Sequence, residues 1–201
     1  MKQILLFNIY WIVFGFCSNA QQQAALDFHD DDHFITCQVG VNTAVHYELR
    51  YEKFFHDEWS LLYTFGLSHN ESRRYSEFRL PMGASVATGV LIGASACSLA
   101  DAFYWSDFEF FRLACLIPDG ISYHHKIRGG YYFSPYLNWS GISVRLNEDT
   151  DQVDWIYTPK AGLRLMKPLG KVGVLSAEQT IQRGANNQIQ LYPSIGLSVR
   201  F

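Results

Sequence analysis

Residues 188–201 run Q-I-Q-L-Y-P-S-I-G-L-S-V-R-F. The odd positions are apolar: Ile189, Leu191, Pro193, Ile195, Leu197, Val199 and Phe201. The even positions are Gln188, Gln190, Tyr192, Ser194, Gly196, Ser198 and Arg200, polar or small except for the amphipathic Tyr192. Successive side chains of a strand point to opposite faces, so this stretch reads as a strand with one greasy and one wet face.

The same alternation recurs upstream. It predicts ten strands, at 34–42, 43–54, 58–68, 75–88, 91–103, 108–126, 130–143, 154–168, 171–180 and 188–201. In the second, Val45, Tyr47, Leu49 and Tyr51 share one face, opposite His46, Glu48, Arg50 and Glu52. In the seventh, Tyr131, Phe133, Pro135, Leu137 and Trp139 oppose Tyr132, Ser134, Tyr136, Asn138 and Ser140. Short turns are expected at 56–57, 89–90, 128–129 and 169–170, after every even strand. Longer loops fall after the odd ones, except at the tight 42–43 connection. If that connection is not a hairpin, the count drops to eight. Pro118-Asp119-Gly120 breaks the alternation of its strand and reads as a bulge.

Composition bounds the class. Aromatic residues are 16% and charged residues 17%, aromatic-rich and charge-poor for a soluble domain. Mean hydropathy is −0.05, and past the first twenty residues no apolar run reaches the roughly 18 residues a spanning helix needs. Strands that alternate lipid-facing and lumen-facing residues produce this neutral average. A net charge of −3 gives no argument for a nucleic-acid partner. The expected fold class is all-β, a transmembrane antiparallel up-and-down β-barrel of about 10 strands, with 8 as the alternative and a soluble β-sandwich as the competing all-β architecture.

The first twenty residues read as a signal peptide: Lys2, an apolar core over 4–16, and Ser18-Asn19-Ala20 before the cleavage point. Residues 21–33 read as a polar, acidic periplasmic segment in which Asp27, His29, Asp30, Asp31, Asp32 and His33 are solvated, with no metal geometry implied. Residues 34–201 form the barrel. Cys37, Cys97 and Cys115 match no zinc or redox spacing; they read as small strand residues, with a Cys97–Cys115 pair as the alternative.

The inward faces carry Glu48, Glu52 and Glu178 beside Arg50, Arg79, Arg112, Lys160 and Arg164. Charges inside a narrow barrel must pair or meet water, so these residues are expected to form a charge network that fills the lumen. A positively lined conduit is the alternative. Trp59 should lie at the short-turn rim, and Trp139 and Trp155 at the opposite one, as interface aromatics. A lipid hydrolase would need a nucleophile, a base and an orienting acid at the outer rim. His69 with Glu71 and Ser72 has the residue types, but three nearly consecutive residues do not form such an array unaided. Glu148, Asp149, Asp151 and Asp154 read as an acidic surface loop, with weak Ca²⁺ binding as the alternative.

A terminal alternating strand closing on Phe201 resembles the C-terminal signal of Gram-negative outer-membrane β-barrels. Val39-Gly40-Val41-Asn42, Tyr47-Glu48-Leu49-Arg50-Tyr51-Glu52 and Trp59-Ser60-Leu61 resemble the small outer-membrane β-barrel domain family, as do Phe78-Arg79-Leu80-Pro81-Met82-Gly83 and 128–133. The resemblance implies a barrel of eight to ten strands in the cell outer membrane. It implies outer-membrane lipid and the barrel-insertion machinery as partners, the latter through Phe201, and it carries no catalytic motif. The expectation is a non-enzymatic, integral outer-membrane protein with a structural or binding role and no cofactor. A narrow passive pore, or less readily an outer-leaflet lipid hydrolase, is the alternative.

Overall fold

The computed structural model describes residues 27–71, 74–83, 116–139, 141–147, 150, 152–183 and 188–201. Twelve strands among them join in one antiparallel sheet. They are β1 (His33–Val41), β2 (Val45–His56), β3 (Trp59–Asn70), β4 (Tyr75–Leu80), β5 (Gly120–Tyr123), β6 (His125–Lys126), β7 (Tyr132–Asn138), β8 (Ile142–Asn147), β9 (Gln152–Tyr157), β10 (Lys160–Leu169), β11 (Gly173–Arg183) and β12 (Ile189–Arg200). Eight close a ring in the order β1, β2, β3, β5, β7, β10, β11, β12. Closure comes from the first and last strands, which pair from Phe34–Arg200 to Gly40–Ser194. The ring leaves none of its own strands with an open edge, which is how a sheet satisfies its backbone in lipid.

The alternation sorts the side chains as the sequence pattern implies. Ile35, Val39, Leu49, Phe65, Leu137, Leu163 and Leu197 point outward and are exposed, whereas Thr36, Arg50, Thr64, Ser134, Arg164 and Thr180 point inward and are fully buried. The protein is therefore polar inside and apolar outside. Residues 42–44 do form a tight hairpin turn between β1 and β2. Gly129 and Gly170 lie in the two short turns expected around them and adopt φ of +81° and +88°, the left-handed region open to glycine.

Eight strands close the ring, the lower of the two expected numbers, because β4 and β5 share one lane. β3 pairs with β4 through its last residues, Gly66 to Asn70, and with β5 through its first, Trp59 to Leu62. Asp119 joins the two pieces. Its Oδ2 accepts the Thr64 N–H of β3 at 2.5 Å, its Oδ1 accepts the Met82 N–H at 2.5 Å, and its own N–H donates to Leu62 O at 2.7 Å. The residue read as a bulge is thus a buried splice. The expected strand 91–103, the turn at 89–90, Arg112, Cys97, Cys115 and the signal peptide lie outside the described residues.

Two expected single strands are each bent. Residues 130–143 divide into β7 and β8, and 154–168 into β9 and β10. At the bend the Thr158 N–H donates to Gly141 O at 2.6 Å, and the Arg79 guanidinium lies where a Cβ on Gly141 would be. β8 and β9 pair up to Asn147–Gln152, so both ends of the expected loop 146–153 are strand, while Glu148, Asp149 and Asp151 lie outside the described residues.

The end bearing His33, Trp59 and Phe201 is the near mouth, and the end bearing the β1–β2 turn is the far mouth. Residues 27–32 are not a wholly solvated tail, as the sequence reading had them. Phe28 is only 3% exposed and joins Phe34, Phe54, Tyr132, Met166 and Val174 in an apolar cluster. Its ring stacks on Phe54 at 4.7 Å and meets Tyr132 at 4.4 Å. The strap is tied by backbone bonds, Asp31 N–H to Phe54 O and Phe54 N–H to Asp32 O. Asp32 pairs with Arg200 at 2.6 Å. A lone apolar residue in a polar run was the available signal.

Candidate functional site

The lumen holds a ladder of ion pairs on inward positions two residues apart. β2 presents Glu48, Arg50 and Glu52 in turn because every second residue of a strand shares a face. β10, halfway round the ring, presents Lys160 and Arg164, and β11 presents Glu178. β2 and β10 run in the same direction, so residues four apart on one meet residues four apart on the other. Lys160 bonds Glu48, and Arg164 bonds Glu52. Between them Arg50 reaches Glu178 through two bonds of 3.0 and 3.2 Å, and it holds Glu48 at 2.7 and 3.1 Å.

Neutral groups complete the shells of these charges. Arg164 donates to Ser122 Oγ at 3.0 Å, and Ser60 donates to Glu52 at 3.2 Å. His124, 1% exposed, bridges Ser60 and Ser134 at 2.9 Å each. The Tyr136 hydroxyl donates to Glu178 at 2.5 Å, and the ring lies 4.8 Å from the Arg50 guanidinium. Tyr136 reaches across because Gly162 on the intervening strand has no side chain; a Cβ there would lie 2.5 Å from the ring. Buried pairs hold only when the remaining lone pairs and protons are bonded, and these contacts supply most of them; among the described residues the Arg164 Nε–H is left buried and unbonded.

Toward the far mouth, Arg79 donates to Thr158 O and Asn138 Oδ1 at 2.8 Å each. Both of these acceptors are neutral groups. Glu77, two residues earlier on the same face, pairs with Arg145 at 2.9 Å, and Arg145 lies 4.2 Å over the Tyr75 ring. Parity from Arg79 places Glu77 inside, so this pair was open to sequence reasoning; Arg145 was missed because its stretch was read as the edge of a loop. Below the ladder, Phe28 and its cluster cover the near mouth.

The outward aromatics are exposed: Trp59 38%, Trp139 39% and Trp155 53%. Trp59 begins β3 at the near mouth and packs against Tyr123 at 4.9 Å. Trp139 follows the last residue of β7, and its carbonyl accepts the Tyr157 hydroxyl. Phe201 lies outside the ring at the near mouth, 5.8 Å from His33 and 6.4 Å from Tyr51. His69 bonds Ser76 across the β3–β4 pair at 3.1 Å, and Ser72, its expected neighbour in a hydrolytic array, lies outside the described residues. Asp27, outside the strands, bonds Lys126 and accepts the Tyr132 hydroxyl at 3.0 Å. The hydrogen bond from Lys126, ahead of that from Tyr132, holds its carboxyl below the ordinary carboxylate range.

A closed antiparallel ring with an apolar outside and a polar, ion-paired inside is built for lipid. The fold is that of a transmembrane β-barrel. The crystal structure of the N-terminal β-barrel domain of Pseudomonas aeruginosa OprF aligns with a TM-score of 0.53 at 12% identity, over 86% of this chain and 98% of that one. The Yersinia pestis outer membrane protein Ail, in a phospholipid bilayer nanodisc, aligns at 0.46 and 10% identity over 86% and 100%. A de novo designed transmembrane β-barrel aligns at 0.45 and 12% identity over 88% and 100%. No protein-family model and no curated protein matches the chain.

Proposed function

We propose that the chain is an integral outer-membrane protein with a structural or binding role, exported by residues 1–20 and inserted with its near mouth toward the periplasm. Its mechanism is placement. The outward Leu, Val and Phe band and the Trp rims set its depth in the bilayer, and the cross-lumen pairs hold the wall rigid. Partners meet the protein at its two mouths, and the insertion machinery reads the last strand through Phe201.

The observation that carries this reading is the ladder of Lys160–Glu48, Arg50–Glu178 and Arg164–Glu52 above the Phe28 cluster. A ring of eight strands has an interior just wide enough for side chains, and here bonded charges occupy it. His124 with Ser60 and Ser134 lies within that filling at 1%, 0% and 0% exposure, so no substrate reaches that cluster.

Cell fractionation with a gel-shift assay tests the reading. The expected result is recovery in the outer membrane with different migration before and after boiling. A periplasmic, unshifted protein would remove both the location and the placement role. Planar-bilayer recording tests the pore alternative; no unitary conductance is expected, and stable channels from the purified barrel would replace the filled-lumen reading with a conduit.

A further inference from the structure

A hydrogen-bonded chain of three side chains lies at the far mouth, above the ladder. His46 and Ser68 face each other as a cross-strand pair on β2 and β3. Asn42 closes the β1–β2 turn, where its N–H donates to Ala44 O at 3.0 Å. The Ala44 N–H returns a bond of 2.8 Å to Asn42 Oδ1. A backbone N–H can meet only an acceptor, so this bond fixes which side-chain atom of Asn42 is oxygen. That oxygen lies 3.1 Å from His46 Nε2, so Nε2 carries the ring proton. In the neutral ring Nδ1 then keeps its lone pair, 2.7 Å from Ser68 Oγ, and the hydroxyl donates to it.

The result is a directed relay, with hydroxyl to base nitrogen on one side and ring N–H to a fixed acceptor on the other. The His46 ring stacks on Tyr192 at 4.5 Å and 13°, which holds its plane. Asn42, His46 and Ser68 are all partly exposed, unlike the sealed His124 cluster. A nucleophile bonded to a base that is itself oriented by a third group is the arrangement acyl transfer requires.

The geometry points to a hydrolytic site at the far mouth in which Ser68 is the nucleophile, His46 the general base and Asn42 a positioning residue, acting on small, water-soluble carboxylic esters. Ser68 Oγ attacks the carbonyl carbon as its proton passes to His46 Nδ1. The bond from that carbon to the alcohol oxygen breaks, and the proton leaves with the alcohol. Water then attacks the acyl-serine through the same nitrogen, releasing the acid and restoring the hydroxyl. The substrate class follows from position: the relay faces the mouth, not the lipid side, and the Glu48–Lys160 rung follows directly on β2. The site goes beyond the placement role, which stands or falls separately on fractionation and heat shift.

The test uses the folded barrel in detergent, confirmed by its heat shift, with a fluorophosphonate probe and with p-nitrophenyl acetate. Mass mapping is expected to find the probe on Ser68. Ser68→Ala should abolish labelling, and His46→Ala should slow ester hydrolysis about 100-fold, the lower range of general-base effects. Asn42→Ala should lose most of the rate, and Asn42→Asp should recover it and move the pH profile of hydrolysis upward, since Asp keeps the acceptor for both Ala44 and His46 but sets a charge beside the ring; a merely structural role would recover the rate with the profile unmoved. Absence of label on Ser68 in the folded wild-type barrel overturns the site without recourse to any variant, and so does wild-type hydrolysis by Ser68→Ala.

Discussion

Glu52 and Arg164 project from strands on opposite sides of the eight-strand ring and bond to each other inside it, both nearly or fully buried. Each is meaningful only with the other. Removing one charge leaves its partner in a low-dielectric interior, which costs about 3–5 kcal/mol, whereas replacing both with apolar residues of similar volume is often neutral. Glu52→Leu should therefore destabilise the folded barrel by about that amount, and Glu52→Leu with Arg164→Met should regain most of it. Urea unfolding in detergent, followed by the gel shift, measures both. If the double variant is as unstable as the sum of the singles, Glu52 and Arg164 do not act as one rung.

Asp119 holds together two strand pieces that share a lane. Asp119→Ala would leave the Thr64 and Met82 N–H groups without their acceptor, at about 1–3 kcal/mol for a buried group left unbonded. The loss should be local. Amide hydrogen exchange is expected to quicken at Thr64 and Met82 while the β11–β12 amides keep their protection. Uniform acceleration round the ring would mean that Asp119 supports global stability rather than the splice.

The barrel was legible in the sequence because strand alternation is local: one residue's face fixes the next. That is why Glu48, Arg50, Glu52, Lys160, Arg164 and Glu178 could be assigned to one interior from parity alone. Which acid meets which base was not legible, because it depends on ring closure and on β10 lying opposite β2. The shared lane of β4 and β5 was hidden for a related reason. Each piece alternates normally, and only β3, paired to both, shows that they occupy one place. Phe28 was passed over because six acidic or histidine neighbours set the character of its stretch, although a single phenyl ring among them outweighs that character once a pocket exists.

Phe28 should contribute through burial and Asp27 hardly at all. Phe28→Ala removes a fully packed ring and should cost about 3 kcal/mol, the lower end for such truncations. The Asp27–Lys126 pair is half exposed, and pairs of that kind contribute about 0–1 kcal/mol. The lowered carboxyl sets the sign of its pH dependence: the contribution is present above the ordinary carboxylate range and fades as pH falls through the depressed value. Acidification from neutrality to about pH 5 should thus leave the strap in place, where Asp27 remains ionised. Amide exchange at Phe54, whose N–H donates to Asp32 O, is expected to stay slow at neutral pH in wild type and Asp27→Ala, and to speed up in Phe28→Ala. Equal rates in all three would show that the strap does not cover the near mouth.

Phe201 separates structure from targeting. Phe201 is 68% exposed, its ring beside the outward rings of His33 and Tyr51, while its N–H donates to His33 O at 3.1 Å. That bond belongs to the backbone and survives any side chain. Phe201→Asp should accordingly refold in detergent with a normal heat shift and a loss of stability within about 1 kcal/mol, as for surface changes distant from a core. In cells the same variant is expected to fall at least 10-fold in the outer membrane if, as proposed, the insertion machinery reads the aromatic side chain. Loss of refolding in vitro would assign Phe201 to the fold. Normal refolding with normal outer-membrane levels would show that the terminal ring carries no signal and that the alternating strand before it suffices.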